Sequence, residues 1–285
     1  MKYNFLRSYC KLNLFLDIGK KEKKTNLHNI QSLVHIINLF DEIKIKKIIG
    51  KKDKINFIGS FSNHVKKNDN SILKSLSVLR KSGYLPYNQS YFLEVKKKIP
   101  AFSGMGGGSS NSAAIIKHFL KGKKISEKEI NFFSRILGSD LKLFFVSSQM
   151  FQENLRSIKI IKSKQRFYFI VVYPFLKCST KEVYSKVNSY NQIKKKNYNF
   201  NSKKNLISLL KKKGNLLEKI VIKKYPIIKK ILNEIQKTNN CQFSRLTGSG
   251  SACFGLFLTK KSAVSAHIKI KKKFPNYWCA TGKTI

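Results

Sequence analysis

A folded chain that mixes strands and helices is what this 285-residue sequence predicts. Alternating or continuous short apolar runs at 9–18, 91–95 and 167–174 read as strands. Apolar residues at three- and four-residue spacing within 70–82 and 126–137 read as amphipathic helices. Hydrophobic residues make up 42% of the chain, with 21 Phe and 12 Tyr, and that supports a real core. The length suffices for one large domain or two ordinary ones.

In order, Leu12, Leu14 and Leu16 alternate with Lys11, Asn13 and Phe15, a strand that puts Lys11 and Asn13 on one face. A lysine-rich loop follows at 19–24. Ile30, Leu33, Val34 and Ile37 recur at helical spacing, so a helix is predicted there, leading into a strand at 39–45. Residues 51–61 read as a hairpin region. Ile72, Leu73, Leu76 and Leu79 give the helix at 70–82 a core face, and a turn at 83–89 precedes the strand at 91–95. Ser126 and Glu129 have capping-box spacing at the start of the helix that ends at Gly138. The run GSDLKLFFV then reads as an apolar strand opened by Asp140. Residues 186–204, rich in Asn and Lys, read as an exposed loop. Helices are predicted at 205–213, 215–224 and from 225–226 through 235, an apolar strand after the glycine turn at 247–251, a helix at 261–272 and a short strand near 277–281.

The segment 100–120, PAFSGMGGGSSNSAAIIKHFL, carries the chemistry. Four of the five residues from Gly104 to Gly108 are glycine. Glycines let the backbone turn sharply and approach a ligand closely. A helical pattern follows, with Ser110 or Asn111 as the expected N-cap. The first amides of a helix lack partners within it and carry partial positive charge, so such a loop can cradle phosphate. No Lys follows the glycines in the G-x-x-x-x-G-K-[ST] manner, and the Rossmann spacing is absent. A second glycine turn, Thr247-Gly248-Ser249-Gly250-Ser251, reads as a helix-to-strand turn able to offer amides and a hydroxyl to a phosphate.

Lys and Arg number 58 against 14 Asp and Glu, a net charge of +44. Lysines occur in nearly every segment, and this dispersion points to compositional bias more than to one nucleic-acid-binding face. The charge should still attract phosphorylated ligands. The longest apolar run, 167–176, is too short to span a membrane and contains Pro174. Asn13 and Asp17 interrupt the N-terminal apolar stretch, so no signal peptide is predicted. Five scattered cysteines without C-x-x-C spacing give neither a disulfide framework nor a metal site, and a reducing cytoplasm fits them best.

The order P-x-x-x-G-M-G-G-G-S-S-N-S-A-A resembles the ATP loop of the GHMP kinases. Three further segments resemble family signatures in the same order. Residues 10–16 resemble A-K-[IL]-N-L-F-L, with Cys10 in place of Ala. Residues 138–144 resemble G-[AS]-D-[VLI]-P-[FV]-[FC], with Lys142 in place of Pro. Residues 246–257 resemble the signature [SM]-G-[ST]-G-[SG]-x-x-F-[GA]-x-F. The G-G-G-S-S-N form is most similar to the members that act on 4-diphosphocytidyl-2-C-methyl-D-erythritol.

The resemblance implies an α+β fold in two lobes. Residues 1–156 would form a ribosomal protein S5 domain 2-like ATP-binding domain with a left-handed βαβ feature, and 157–285 a ferredoxin-like C-terminal domain. It implies ATP, with Mg²⁺ accompanying it and no protein metal ligand assigned. Pro100, Ala101, Phe102, Ser103, Gly104, Met105, Gly106, Gly107, Gly108, Ser109 and Ser110 would form the ATP loop, with Ser109 or Ser110 nearest the metal. Asp140 would take the proton of the attacking 2-hydroxyl, and Lys11 would sit beside the transferred phosphoryl group and keep Asp140 ionised. Asn13, His28, Thr180, Tyr184, Gly248 and Ser249 would line the substrate site. His28 would hold the cytosine end, with Tyr184 stacking on it.

Departures from the family pattern fall at Leu27, where relatives have Tyr, at Asn26, and at 147–157, which has no glycine. Leu27 cannot supply the stacking an aromatic gives, ~1–3 kcal/mol per base. Asn70 matches an Asn near the nucleotide. A cytidyl diphosphate is the implied small-molecule partner, with no specific nucleic acid, no membrane, and a monomeric or homodimeric state. Two alternatives stay open: another GHMP small-molecule kinase of homoserine or mevalonate type, and a basic RNA-binding protein on an S5-like scaffold.

Overall fold

The computed structural model describes residues 3–23, 26–123, 125–193 and 198–285. Lys24 and Lys194–Lys196 of the predicted lysine-rich loops lie outside the described residues. The chain packs as two compact units that interleave along the sequence. One holds residues 1–10, 39–101 and 106–146, and the other 11–38, 102–105 and 147–285. Two long strands, β1 (Asn4–Lys21) and β2 (His28–Ile48), contribute residues to both.

In the first unit β3 (Lys54–Ile58) and β4 (Ser90–Lys96) pair in parallel, and β4 pairs antiparallel with the 42–48 part of β2. A parallel pair needs a crossover, and α1 (Ser71–Lys81) supplies it. Residues 51–61 are therefore half of a β–α–β crossover and not a hairpin. Asn70 caps α1, its Oδ1 accepting from the amides of Ile72 and Leu73 at 3.1 and 3.0 Å. Helices α2 (Gly107–Phe119) and α3 (Glu127–Leu137) complete the layer, and the Ser126–Glu129 capping box forms as predicted. Leu93 and Val95 pack with Ile72, Leu76 and Leu79, with Ala113 and Ile116, and with Phe133 and Leu141.

The run from Ser139 to Val146 is a 3-10 turn (Ser139–Lys142) followed by one helical turn, α4 (Leu143–Val146), and not the predicted strand. Leu141 and Leu143 are buried while Phe144, Phe145 and Val146 are only half-buried. An apolar run of this length reads alike as a strand or as a short helix.

In the second unit β2 is a strand throughout, which corrects the helix predicted over 30–37. Leu33, Val34, Ile36 and Ile37 are all buried, so both faces are covered and the period-2 alternation disappears. β5 (Gln149–Gln152) pairs with residues 32–35 of β2 and with β6 (Ile158–Ile160). The glycine-free stretch thus makes a β-ladder, and Asn154 Oδ1 closes its turn by accepting from the amides of Arg156 and Ser157 at 2.8 and 2.7 Å.

The rest is a four-stranded antiparallel sheet. β7 (Tyr168–Tyr173) lies between β10 (Trp278–Lys283) and β9 (Cys253–Phe257), and β8 (Phe243–Leu246) pairs with β9. Helices α5 (Thr180–Ser185), α6 (Lys203–Lys212), α7 (Glu218–Lys224) and α8 (Ile227–Gln236) precede β8, and α9 (Lys260–Lys273) joins β9 to β10. Numbered along the chain, the four strands lie side by side in the order 4-1-3-2 (β10-β7-β9-β8), the ferredoxin-like β-α-β-β-α-β arrangement. α8 and α9 pack on this sheet over Ile170, Val172, Leu246, Phe257, Ile231, Ile235 and Ile270.

The 186–202 segment is anchored at points that its composition conceals. Asn191 donates its amide to Ile18 O at 2.8 Å and its side chain to Asp17 Oδ1 at 3.1 Å. Tyr198 and Phe200 pack on Phe151, and Tyr198 also meets Phe15. Among the described residues no helix is long and apolar enough to cross a membrane.

Candidate active site

In the second unit the face of β1 that carries Lys11 and Asn13 is buried, with the two side chains 3 and 4% exposed. Lys11 Nζ donates to Asn13 Oδ1 at 2.5 Å. Asn13 Nδ2 donates to Ser32 Oγ at 2.8 Å, and Ser32 donates on to Phe15 O at 2.6 Å. The Asn13 amide donates to Thr247 Oγ1 at 3.1 Å. One chain of hydrogen bonds therefore fixes the amide plane that receives the Lys11 ammonium. From the sequence, Thr247 reads only as a turn residue.

The same unit gathers the first half of the glycine loop onto the second glycine turn. The Lys11 amide donates to Met105 O at 3.0 Å, and the Ala252 amide to Ser103 O at 3.1 Å. Gly104 (φ 77) and Gly248 (φ 53) both have left-handed backbones. A Cβ on Gly104 would overlap the Thr247 carbonyl oxygen, and one on Gly248 would lie 2.7 Å from Gly104 O. Side chains are excluded here because two backbones touch. The turn at 247–252 joins β8 to β9, so it is a strand-to-strand turn and not the predicted helix-to-strand turn.

Asn215 holds that turn. Its Nδ2 donates to Leu246 O at 2.9 Å and Gly248 O at 2.8 Å, while its Oδ1 accepts from the Leu217 amide at 3.0 Å. Glu218 accepts from the Leu246 amide at 2.8 Å, and burial pushes its carboxyl upward against that bond and the nearby Arg245. Arg245 donates to the carbonyls of Leu14, Leu210 and Lys213. Burial lowers its guanidinium to about 10, with Glu218 and Asp17 opposing the shift.

Thr180 Oγ1 and Ser249 Oγ lie 3.1 Å apart, so two predicted substrate residues share a hydrogen bond. His28 and Tyr184 come together with ring centroids 6.1 Å apart. His28 Nδ1 contacts Gly19 O at 3.0 Å. Leu27 is exposed.

The first unit holds the second half of the loop. α2 begins at Gly107, with Gly106 as N-cap at φ 70 and no side-chain cap. This moves the helix start upstream of the Ser110 or Asn111 predicted as N-cap. The amides of Gly107, Gly108 and Ser109 thus form its first turn, without acceptors inside the helix. Ser110 and Asn111 are buried helical residues. Ser110 Oγ accepts from Ser8 at 2.7 Å and donates to Tyr9 O at 2.5 Å. Ser109 faces elsewhere: a Cβ on Gly138 would stand 3.6 Å from its hydroxyl.

The 3-10 turn that carries Asp140 packs against α2, with Asp140 half-buried and two residues beyond Gly138. Asn70 is committed to α1 by its cap bonds, and its Nδ2 donates to Lys66 O and Lys67 O at 3.2 and 2.9 Å. Pro100, Ala101 and Phe102 lead into the loop, and Phe102 is half-exposed with a left-handed backbone at φ 57.

Such a set can hold an anion at the α2 N-terminus, with the Ser109 hydroxyl in its first turn. Among the described residues, no three or more His, Cys, Asp or Glu side chains converge as a metal site.

Residues 70–142 match the family described as GHMP kinases N terminal domain, and 197–276 match GHMP kinases C terminal. The chain is 38% identical over 286 residues to the 4-diphosphocytidyl-2-C-methyl-D-erythritol kinase of Pelagibacter ubique (strain HTCC1062), covering 98% of each. It is 30% identical to the kinase of the same name from Wolbachia sp. subsp. Drosophila simulans (strain wRi), covering 98% of this chain and 100% of that one. Among solved structures, a 4-(cytidine 5'-diphospho)-2C-methyl-D-erythritol kinase matches with a TM-score of 0.73 at 19% identity, over 98% of this chain and 99% of that one. Mevalonate kinase of L. major, in complex with R-mevalonate, matches with the same TM-score at 14% identity, over 100 and 96%. At such identities these structures speak for the fold. The end-to-end similarity to the curated relatives, together with both domain matches, decides the family: the chain belongs to the GHMP kinases.

Proposed function

We propose that the chain transfers the γ-phosphate of ATP to the 2-hydroxyl of 4-diphosphocytidyl-2-C-methyl-D-erythritol, a step of non-mevalonate isoprenoid precursor synthesis. The observation that carries this reading is the 38% identity, along 98% of both chains, to a relative of that name. The reaction would run in the cytoplasm, on a monomer or homodimer.

Each part has a physical role. The first-turn amides of α2, from Gly107 to Ser109, hold phosphate oxygens without a side chain between backbone and ligand. The turn from Thr247 to Ser251 offers further amides, and the Thr180–Ser249 pair offers hydroxyls. Asp140 orients the acceptor hydroxyl and accepts its proton. Lys11, aimed by Asn13, neutralises charge that grows on the transferring group. Tyr184 beside His28 suits a pyrimidine, one face to stack on and one ring to hydrogen-bond. Mg²⁺ bound with ATP would draw charge from the β- and γ-phosphate oxygens, with Ser109 as the nearest protein donor.

The test is ADP release measured with three acceptors offered separately: the cytidyl methylerythritol, mevalonate and homoserine. Turnover with the first alone is expected. Equal or greater turnover with either of the others would overturn the substrate assignment and leave the family intact.

A further inference from the structure

Asp41 is fully buried, with 0% exposure, and it belongs to no motif described above. It lies on β2, within the first unit. Its Oδ1 accepts two backbone amides, those of Lys98 and Ile99, each at 2.8 Å. Its Oδ2 takes the ammonium of Lys97 in an ion pair whose side chains are 4 and 0% exposed. With the Asn111 amide nitrogen turned toward it, Asn111 donates to the same Oδ2 at 3.1 Å and to Gly107 O at 3.2 Å. Asn111 Oδ1 then accepts from Lys97 Nζ at 3.3 Å.

These partners stand on both sides of the glycine loop. Lys97, Lys98 and Ile99 are the last residues before Pro100, and Gly107 and Asn111 form the first turns of α2. Lys97 Nζ would lie 3.7 Å from a Cβ on Gly107, which puts the ion pair directly beneath the first helical residue. A carboxylate has about four lone-pair sites, and here all of them are engaged. A buried charge is retained only when paired and hydrogen-bonded, so the arrangement has one low-energy geometry. Replacing the acid by Asn keeps one oxygen for the Lys98 and Ile99 amides but leaves the Lys97 ammonium and the Asn111 amide facing an NH2 group in place of their acceptor, and the tie to α2 is lost.

We infer that Asp41 is a positioning residue for nucleotide binding: it ties the entry of the glycine loop to the first turns of α2, and so sets the spacing of the amides that receive the phosphates. It touches no ligand and acts through Ile99 and Asn111. The inference rests on the reading of α2 as the ATP-phosphate cradle. A buried ion pair can also serve stability alone, so the test must separate the two.

Asp41→Asn and Asp41→Glu are to be compared with the wild-type protein by thermal melting, by titration with ATP followed through tryptophan fluorescence or calorimetry, and by steady-state kinetics with each substrate varied. The expected result for Asp41→Asn is a rise of at least ~5-fold in Kd and KM for ATP. KM for the acceptor alcohol should stay within about twofold, because the unit that carries Thr180 and Ser249 is untouched. Asp41→Glu keeps the charge but lengthens the reach, and it is expected to fall between the two. A drop in melting temperature with unchanged KM for ATP in the folded fraction would overturn the inference and leave Asp41 as a stability residue. Equal rises in both KM values would overturn it too. If the wild-type protein binds no ATP in the calorimeter, the reading of the cradle itself fails, an outcome distinct from any Asp41 result.

Discussion

The backbone of Gly104 lies against the carbonyl of Thr247 so closely that no side chain fits between them. This contact joins the two glycine-rich segments that lie more than a hundred residues apart in sequence. It also explains why both are glycine-rich, since each turn needs a left-handed residue where the other approaches.

Gly104→Ala should therefore destabilise the fold. The left-handed backbone alone costs roughly 1–2 kcal/mol for a residue with a Cβ, and the overlap with Thr247 adds to it. A loss of at least ~2 kcal/mol in urea unfolding is expected. An unchanged midpoint would mean that the two turns do not touch in solution.

Asn215→Ala removes the donor to two buried carbonyls and the acceptor of the Leu217 amide. Each buried polar group left unsatisfied costs roughly 1–3 kcal/mol. A loss of about 2–4 kcal/mol is expected from the same measurement, and Asn215→Asp should lose at least as much, because its second carboxylate oxygen would face the Leu246 and Gly248 carbonyls with no proton to donate.

His35 gives the stability curve an acid limb. It is fully buried, its ring nitrogens lack hydrogen-bond partners, and it stacks on Phe167 at 5.9 Å. Burial lowers its pKa to about 3. The unfolded chain takes up the proton near pH 6.5 and the folded one does not. Stability from this group is therefore intact above pH 6.5 and falls by about 1.4 kcal/mol per pH unit down to about 3. His35→Leu should flatten that limb in unfolding measured from pH 7 to 4. An identical pH dependence in the variant would exclude His35 as its source.

Lys11→Met should abolish most turnover while the melting temperature changes little. The methionine side chain fills the same buried space, while the charge and the bond to Asn13 are removed. Unchanged kinetics would remove Lys11 from the chemistry.

Much of this was legible beforehand. The helix at 70–82, the Ser126–Glu129 box and the strand at 167–174 carry strong local signals, and each formed within a residue or two of its predicted bounds. β2 reads as a helix over 30–37 because a strand covered on both faces loses its alternation, and Ile30, Leu33, Val34 and Ile37 then mimic helical spacing. The start of α2 was placed too late because Gly106 caps it by backbone conformation alone, with no side-chain cap for the sequence to announce. Lys11 and Asn13 stand on one strand face, so their pairing was visible. Asn215, Asp41 and Arg245 were not, because each works through backbone carbonyls or amides distant in sequence, and no local pattern marks such partners.

The central claim is that Asp140 serves as the base for phosphoryl transfer beside the α2 phosphate cradle. The direct measurement is single-turnover formation of the phosphorylated cytidyl methylerythritol from ATP, for the wild-type chain and for Asp140→Asn. The account predicts product from the wild type and a rate at least ~10²-fold lower in the variant, with ATP affinity retained. A near-normal rate in Asp140→Asn, or no product from the wild type with this acceptor, would contradict it.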